Sequence, residues 1–173
     1  MGKKIFSAGI YFSLVMIALL FHNNNLIAQN SKQEKKQAAI KALIDSQNYV
    51  FKAQSAMPMS GTTRQLNYDY DLKVSKDTIN SYLPYYGRAY TAPMDPTQGG
   101  IHFISKDFEY TVTPGKKQGW DIVIKPKDVQ DVQMMSLSVS SDGYATLQVT
   151  STSKQPISFN GIITEKKTKK KKK

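Results

Sequence analysis

The chain has 173 residues, with 24 basic and 13 acidic side chains, a formal net charge of +11, two histidines and no cysteine. That inventory leaves room for one domain of moderate size, and it excludes a disulfide framework, a cysteine nucleophile and a lipid-modified N-terminal cysteine. The charge does not mark a nucleic-acid-binding face, because residues 29–164 hold 15 basic against 12 acidic residues and most of the excess sits in the terminal lysines.

In chain order, Met1-Gly2-Lys3-Lys4 precedes an apolar run from Ile5 to Phe21, then polar Asn23-Asn24-Asn25 and Leu26-Ile27-Ala28-Gln29. A cationic start, an apolar centre and a small residue at the end describe a secretory signal peptide over residues 1–28, cut after Ala28. An uncleaved membrane anchor is the alternative, although the run falls just under the roughly 18 to 20 residues that span a bilayer. The expectation is an exported protein.

Ser31 and Glu34 then have capping-box spacing, and Ala39, Ile40, Leu43 and Ile44 make one apolar stripe at helical spacing. A helix over about residues 31–46 follows, with Asp45-Ser46-Gln47-Asn48 as its stop. So short a stripe suits a helix that lies on a sheet or plugs a barrel end; docking on a partner is its other use.

After Asn48 the period changes to two. Tyr68, Tyr70, Leu72 and Val74 alternate with Asp69, Asp71, Lys73 and Ser75, and Phe108, Tyr110 and Val112 alternate with Glu109, Thr111 and Thr113. Trp120, Ile122 and Ile124 continue the pattern, as do Met135, Leu137 and Val139, then Ala145, Leu147 and Val149, and finally Ile157, Phe159 and Ile163 around Gly161. Turn chemistry separates these runs: Ser75-Lys76-Asp77, Pro114 to Gly119, Ser141-Asp142-Gly143 and Ser153-Lys154-Gln155-Pro156. Short turns imply antiparallel neighbours. The fold class is therefore mainly β, an antiparallel meander of about 8–9 strands that curls into a small barrel or a two-sheet sandwich, with one N-terminal helix.

One stretch, Tyr82 to Gly100, interrupts the alternation with four tyrosines, three prolines and three glycines. It reads as a long loop. Tyr82, Tyr85, Tyr86 and Tyr90 offer flat apolar area with a hydroxyl handle, Arg88 can hold a carboxylate or phosphate, and Trp120 adds a further ring; these six are the candidate ligand-binding residues. The other reading is that the loop covers an open barrel end and packs its rings on its own core.

Gln47-Asn48-Tyr49-Val50-Phe51-Lys52-Ala53, Asp69-Tyr70-Asp71-Leu72-Lys73-Val74, Tyr82 to Tyr90 and Gln155 to Gly161 resemble the exported proteins grouped as domain of unknown function 4251. The resemblance covers nearly all of residues 29–164. It implies a lipocalin-like β-barrel in the periplasm or cell envelope of a Gram-negative bacterium, and it brings no catalytic residues.

The inventory for catalysis is thin. His102 is the one histidine outside the leader, and it stands between Ile101 and Phe103 on the polar phase of a strand, so a Ser/His/Asp triad has a single place to form. A solvated strand histidine is the simpler reading. Asp69 and Asp71 share a strand face, which suits an acid–base pair or calcium, but with Lys73 beside them they read as solubilising charges. A zinc site, a phosphate loop and a cofactor are not indicated. The expectation is a protein that is not an enzyme.

Glu165 to Lys173 reads as a disordered lysine-rich tail. Lys166 to Lys173 would contact an anionic surface at low salt and would bind nucleic acid only without specificity. Two functions remain: a binding module that holds a small apolar or amphipathic ligand at the barrel mouth, or an envelope interaction protein whose barrel is filled by its own side chains. The bulk of Phe103, Phe108, Tyr110, Trp120, Leu137 and Phe159, expected to point inward, leans toward a filled core.

Overall fold

The computed structural model describes residues 31–90 and 99–166. The leader assigned to residues 1–28 and the tail beyond Lys166 lie outside the described residues.

Helix α1 covers residues 31–45. Its stripe is narrow, as the spacing requires: Ile40 and Ile44 are buried, and Leu43 packs partly against the core. Gln47, with φ 50°, turns the chain out of the helix. Ile40 sits on the turn at Gly143, where an added Cβ would lie 2.7 Å from its Cδ1, and Lys36 Nζ stands 5.7 Å over the Tyr144 ring. The helix thus lies on one end of the strand assembly.

Ten strands follow: β1 (Tyr49–Pro58), β2 (Arg64–Gln65), β3 (Asp71–Val74), β4 (Ile79–Leu83), β5 (Ile101–Ser105), β6 (Phe108–Pro114), β7 (Trp120–Pro126), β8 (Val132–Val139), β9 (Tyr144–Ser151) and β10 (Ile157–Glu165). They form one sheet in the order β5-β4-β3-β1-β10-β9-β8-β7-β6, with β2 beside β1. Each neighbouring pair is antiparallel, so the terminal strands β5 and β6 run in the same sense. Only Lys106 and Asp107 separate them in sequence. They behave as two halves of one bent strand, the first pairing with β4 and the second with β7, and in this way the sheet is nearly closed into a barrel.

At the bend the ladders supply few partners, and a side chain takes their place. Asp128 Oδ2 accepts the backbone N–H groups of Lys106 (2.8 Å) and Asp107 (3.3 Å), while Ser105 Oγ donates to Oδ1 (2.5 Å). The bend leaves the outer edge of β5 without a strand partner, and the candidate site forms there.

The barrel axis is occupied. Tyr49, Phe51, Leu72, Leu83, Ile124, Met135, Leu147 and Phe159 are fully buried. The hydroxyls of Tyr49 on β1 and Tyr110 on β6 meet at 3.1 Å from opposite walls. Burial, then the neighbouring Tyr110, pushes the Tyr49 hydroxyl well above the usual phenol range. At this level the barrel is filled by its own side chains.

Several expectations change. The two-residue phase holds from β7 to β10, but Tyr68 and Tyr70 precede β3, where Tyr68 is 77% exposed and Tyr70 is half-buried, packed partly against the core. Val112 is partly exposed because β6 projects as an edge. Leu137 and Phe159 are fully buried, whereas Phe103, Phe108, Tyr110 and Trp120 are only partly so. The loop expected from Tyr82 begins later, since Tyr82 and Leu83 belong to β4. Finally, β10 runs to Glu165 and Lys166 Nζ donates to Ser75 Oγ at 2.8 Å, so the ordered wall takes in the first two residues assigned to the tail.

Candidate functional site

The barrel end opposite α1 is built by three described connections. Residues 84–90 follow β4, residues 127–131 join β7 to β8, and residues 152–156 join β9 to β10. The first lies on the third: Gln155 N–H donates to the Arg88 carbonyl (3.1 Å), Tyr90 N–H donates to the Ser153 carbonyl (2.7 Å), and Ala89 bridges Lys154. Tyr85 locks the contact, with its hydroxyl 2.8 Å from the Arg88 carbonyl and 3.2 Å from that of Gln155.

Lys154 is the centre of this end. It is 7% exposed, and so enclosed an ammonium requires partners. Nζ donates to Asp131 Oδ2 at 3.0 Å and to the Gly100 carbonyl at 3.1 Å, and it stands 5.6 Å from the Tyr85 ring centroid. Asp131 in turn accepts from Ser151 Oγ (3.1 Å) and Ser153 Oγ. Burial opposes its ionisation, but the hydrogen bonds from Ser153 and Lys154, the Lys154 charge and the Ser151 bond hold the carboxyl below the usual range.

Beside Lys154 a cleft of about 400 Å³ opens along the unpaired edge of β5. Ile101, Phe103, Val129 and Val132 give it apolar walls, and His102, Asp131 and Lys154 give it polar corners. The imidazole of His102 is held below its ordinary titration range by burial first and by the Lys154 charge second, against a hydrogen bond to the Leu83 carbonyl. Gly100 makes that position possible, because a Cβ there would lie 2.4 Å from His102 Nε2. The other face of His102 stacks on Tyr82 (4.4 Å, 17°), and Tyr82 on Tyr70 (5.6 Å, 25°). An aromatic row on the outer wall therefore ends at the cleft.

The six residues expected to bind ligand are not brought together. Tyr85 supports Lys154, and Tyr82 reaches the cleft only through His102. Tyr86 turns to Arg64 of β2, whose guanidinium carbon is 4.9 Å from the ring centroid. Arg88 contributes its backbone carbonyl while its side chain is exposed, and Tyr90 is 65% exposed. Trp120 starts β7 at the opposite end of the barrel, in a crevice shared with Gln37 and Lys41 of α1. Lys154, Asp131 and Val129 were missed: Lys154 stands in a polar turn, and its carboxylate partner is 23 residues away along the chain. The other two carboxylates considered, Asp69 and Asp71, pair with Lys52 (3.4 Å) and Lys73 (3.2 Å).

The model of the family described as Domain of unknown function (DUF4251) matches residues 31–163. No curated protein matches the chain. The crystal structure of a DUF4251 family protein from Bacteroides eggerthii DSM 20697 is similar, with a TM-score of 0.57 at 12% identity, over 75% of this chain and 87% of that one.

Proposed function

The chain belongs to the DUF4251 family, whose name assigns no activity, and from that premise we propose that it is an exported, non-catalytic binding protein that holds a small amphipathic molecule at the barrel mouth. The observation that carries this reading is the cleft beside Lys154, whose volume of about 400 Å³ falls within the range of small-molecule sites and whose walls join apolar surface to fixed polar corners. The ligand lies outside the barrel axis, which is occupied. Its apolar part faces Phe103 and Val129, and its polar part reaches His102 and the remaining N–H of Lys154.

Export rests on the leader read at residues 1–28. The outer wall is consistent with a water-facing barrel: Gln54, Ser138, Thr146 and Asn160 are exposed where a membrane-spanning barrel presents an apolar band. No helix among the described residues is long and apolar enough to cross a membrane.

Native mass spectrometry of the protein isolated from its own envelope fraction tests the reading. A reproducible small-molecule adduct is expected, and it should disappear in Val129→Trp, which fills the cleft from a half-buried wall position. A clean apo mass, or an adduct that survives Val129→Trp, overturns it. The second reading is an interaction protein with a self-filled barrel, in which Lys166 to Lys173 contact an anionic surface. The filled axis and the exposed Tyr68, Tyr82 and Ile104 favour it.

A further inference from the structure

We propose that the outer wall of the long-stranded side binds a neutral oligosaccharide, in a groove that crosses β1, β10, β9, β8 and β7 and is separate from the mouth cleft. Register places Asn160 opposite Thr146, Thr146 opposite Ser138, and Ser138 opposite Asp121. Consecutive strands thus each contribute one outward polar side chain, about 4.8 Å apart. Gln54, the residue skipped at the β1 bulge, prolongs the row beyond Asn160. The groove has a volume of about 590 Å³, and Gly115 adds no side chain to it.

Hydrogen bonds within the row fix what it presents. Thr146 Oγ1 donates to Asn160 Oδ1 at 2.9 Å, which sets the amide orientation; one amide N–H faces Met57 Sδ at 3.5 Å and the other is left to donate. Ser138 Oγ donates to Asp121 Oδ1 at 2.5 Å, which leaves Oδ2 to accept. Gly115 has ordinary extended backbone (φ −95°, ψ −173°), so its conformation does not demand glycine. A Cβ there would stand 3.1 Å from the Trp120 backbone nitrogen and 3.2 Å from Asp121 Oδ2, in the space beside the acceptor. At the rim, the Tyr144 ring is 64% exposed, and Lys36 lies over one face.

The charges in the lining, Lys116 and Asp121, are of opposite sign. Oriented donors and acceptors, one open aromatic face and no net charge match a ring that carries hydroxyl groups on its edge and C–H groups on its face. They match neither an anion nor a hydrocarbon chain.

The test is titration of the full-length chain with cellohexaose, maltohexaose and chitohexaose, followed by backbone amide NMR shifts. At least one sugar should give saturable shifts centred on Ser138, Thr146 and Asn160. Asn160→Ala and Thr146→Val, both exposed substitutions, should each weaken the affinity about tenfold, the worth of one well-formed hydrogen bond. Gly115→Ala should weaken it by crowding Asp121, and Lys76→Ala in the β3–β4 turn should leave it unchanged. No saturable shift with any of the three sugars, or shifts that persist in all three groove variants, overturns the proposal.

Discussion

Strands β7 to β10 and β1 run seven to ten residues and pair in continuous antiparallel register, broken by two bulges. Strands β3 to β5, on the other side, run only four or five residues. The long side is held by its ladders and by a face of Ile122, Leu137, Leu147 and Phe159 that is fully buried. The short side borrows polar side chains: Ser81 Oγ donates to the Ile101 carbonyl at 2.8 Å, Asp128 holds the bend, and Lys154 ties Gly100 to Asp131. A side that depends on side-chain bonds has an unfinished edge, and the mouth cleft lies on that edge. The lesson is that the candidate mouth site sits where the sheet is incomplete, because unpaired backbone and enclosed charge coexist there.

The largest expected effect challenges the long side. Gly161 lies where β1 and β10 pair beside the β1 bulge, and a Cβ there would lie 2.0 Å from the Lys52 carbonyl oxygen. Gly161→Ala should cost about 3 kcal/mol in urea unfolding, the range of an overpacked core position. A cost below about 1 kcal/mol would show that the β1–β10 pairing does not depend on glycine at this position.

On the short side, Asp131→Asn leaves the enclosed Lys154 without its counter-charge. Breaking an enclosed ion pair costs about 3–5 kcal/mol, but the Asp131 side chain is 41% exposed, so about 2 kcal/mol is expected. Adding Lys154→Met should recover part of the loss by removing the unpaired charge, which chemical denaturation of the double variant would show. Additive losses would mean that the pair is not what joins β5 to the β9–β10 turn.

Asp128→Ala should act locally. Amide exchange at Lys106 and Asp107 should accelerate while the global unfolding midpoint stays nearly constant, because Asp128 is on the surface and water replaces it. A global loss of cooperativity would make the bend part of the core. The smallest effect concerns pH. The folded imidazole of His102 titrates below the ordinary value of about 6.5. Between those two values the unfolded chain binds more protons, so stability falls slightly as pH drops through the window below about 6.5 and levels off beneath the folded value. His102→Gln should flatten that slope in thermal melts; an unchanged slope would assign it to other groups.

The same division governs what was legible in advance. On the long side, alternation in Met135 to Val139, Ala145 to Val149 and Ile157 to Ile163, with Asp142-Gly143 as the turn, sufficed because each strand buries one face and wets the other. Gly143 indeed has φ +78°. On the short side the alternation was carried too far, into Tyr68, because an aromatic side chain satisfies an apolar phase equally well when it packs outside on a neighbouring ring, here that of Tyr70. Strand β1 was not picked out by its period, since Tyr49, Val50 and Phe51 are all buried in succession. Of the tyrosine segment, residues 84–90 dock on the turn at Lys154, and the rings of Tyr85 and Tyr86 pack against the core, as in the reading of a loop that covers a barrel end.

By itself the sequence determined the class of the protein: a helix expected over about residues 31–46, found at 31–45, followed by an antiparallel β meander, with a family resemblance that the family match over residues 31–163 shows to be membership. Local periodicity and turn chemistry carry that information because each acts over a few neighbouring residues. Only the tertiary structure decided that the axis is filled, that β5 and β6 are one bent strand, and that Lys154, Asp131 and His102 meet. Those facts depend on contacts that close only in three dimensions, such as Tyr49 with Tyr110 and Lys154 with Asp131, and Lys154 looks like an ordinary surface lysine until the barrel end encloses it.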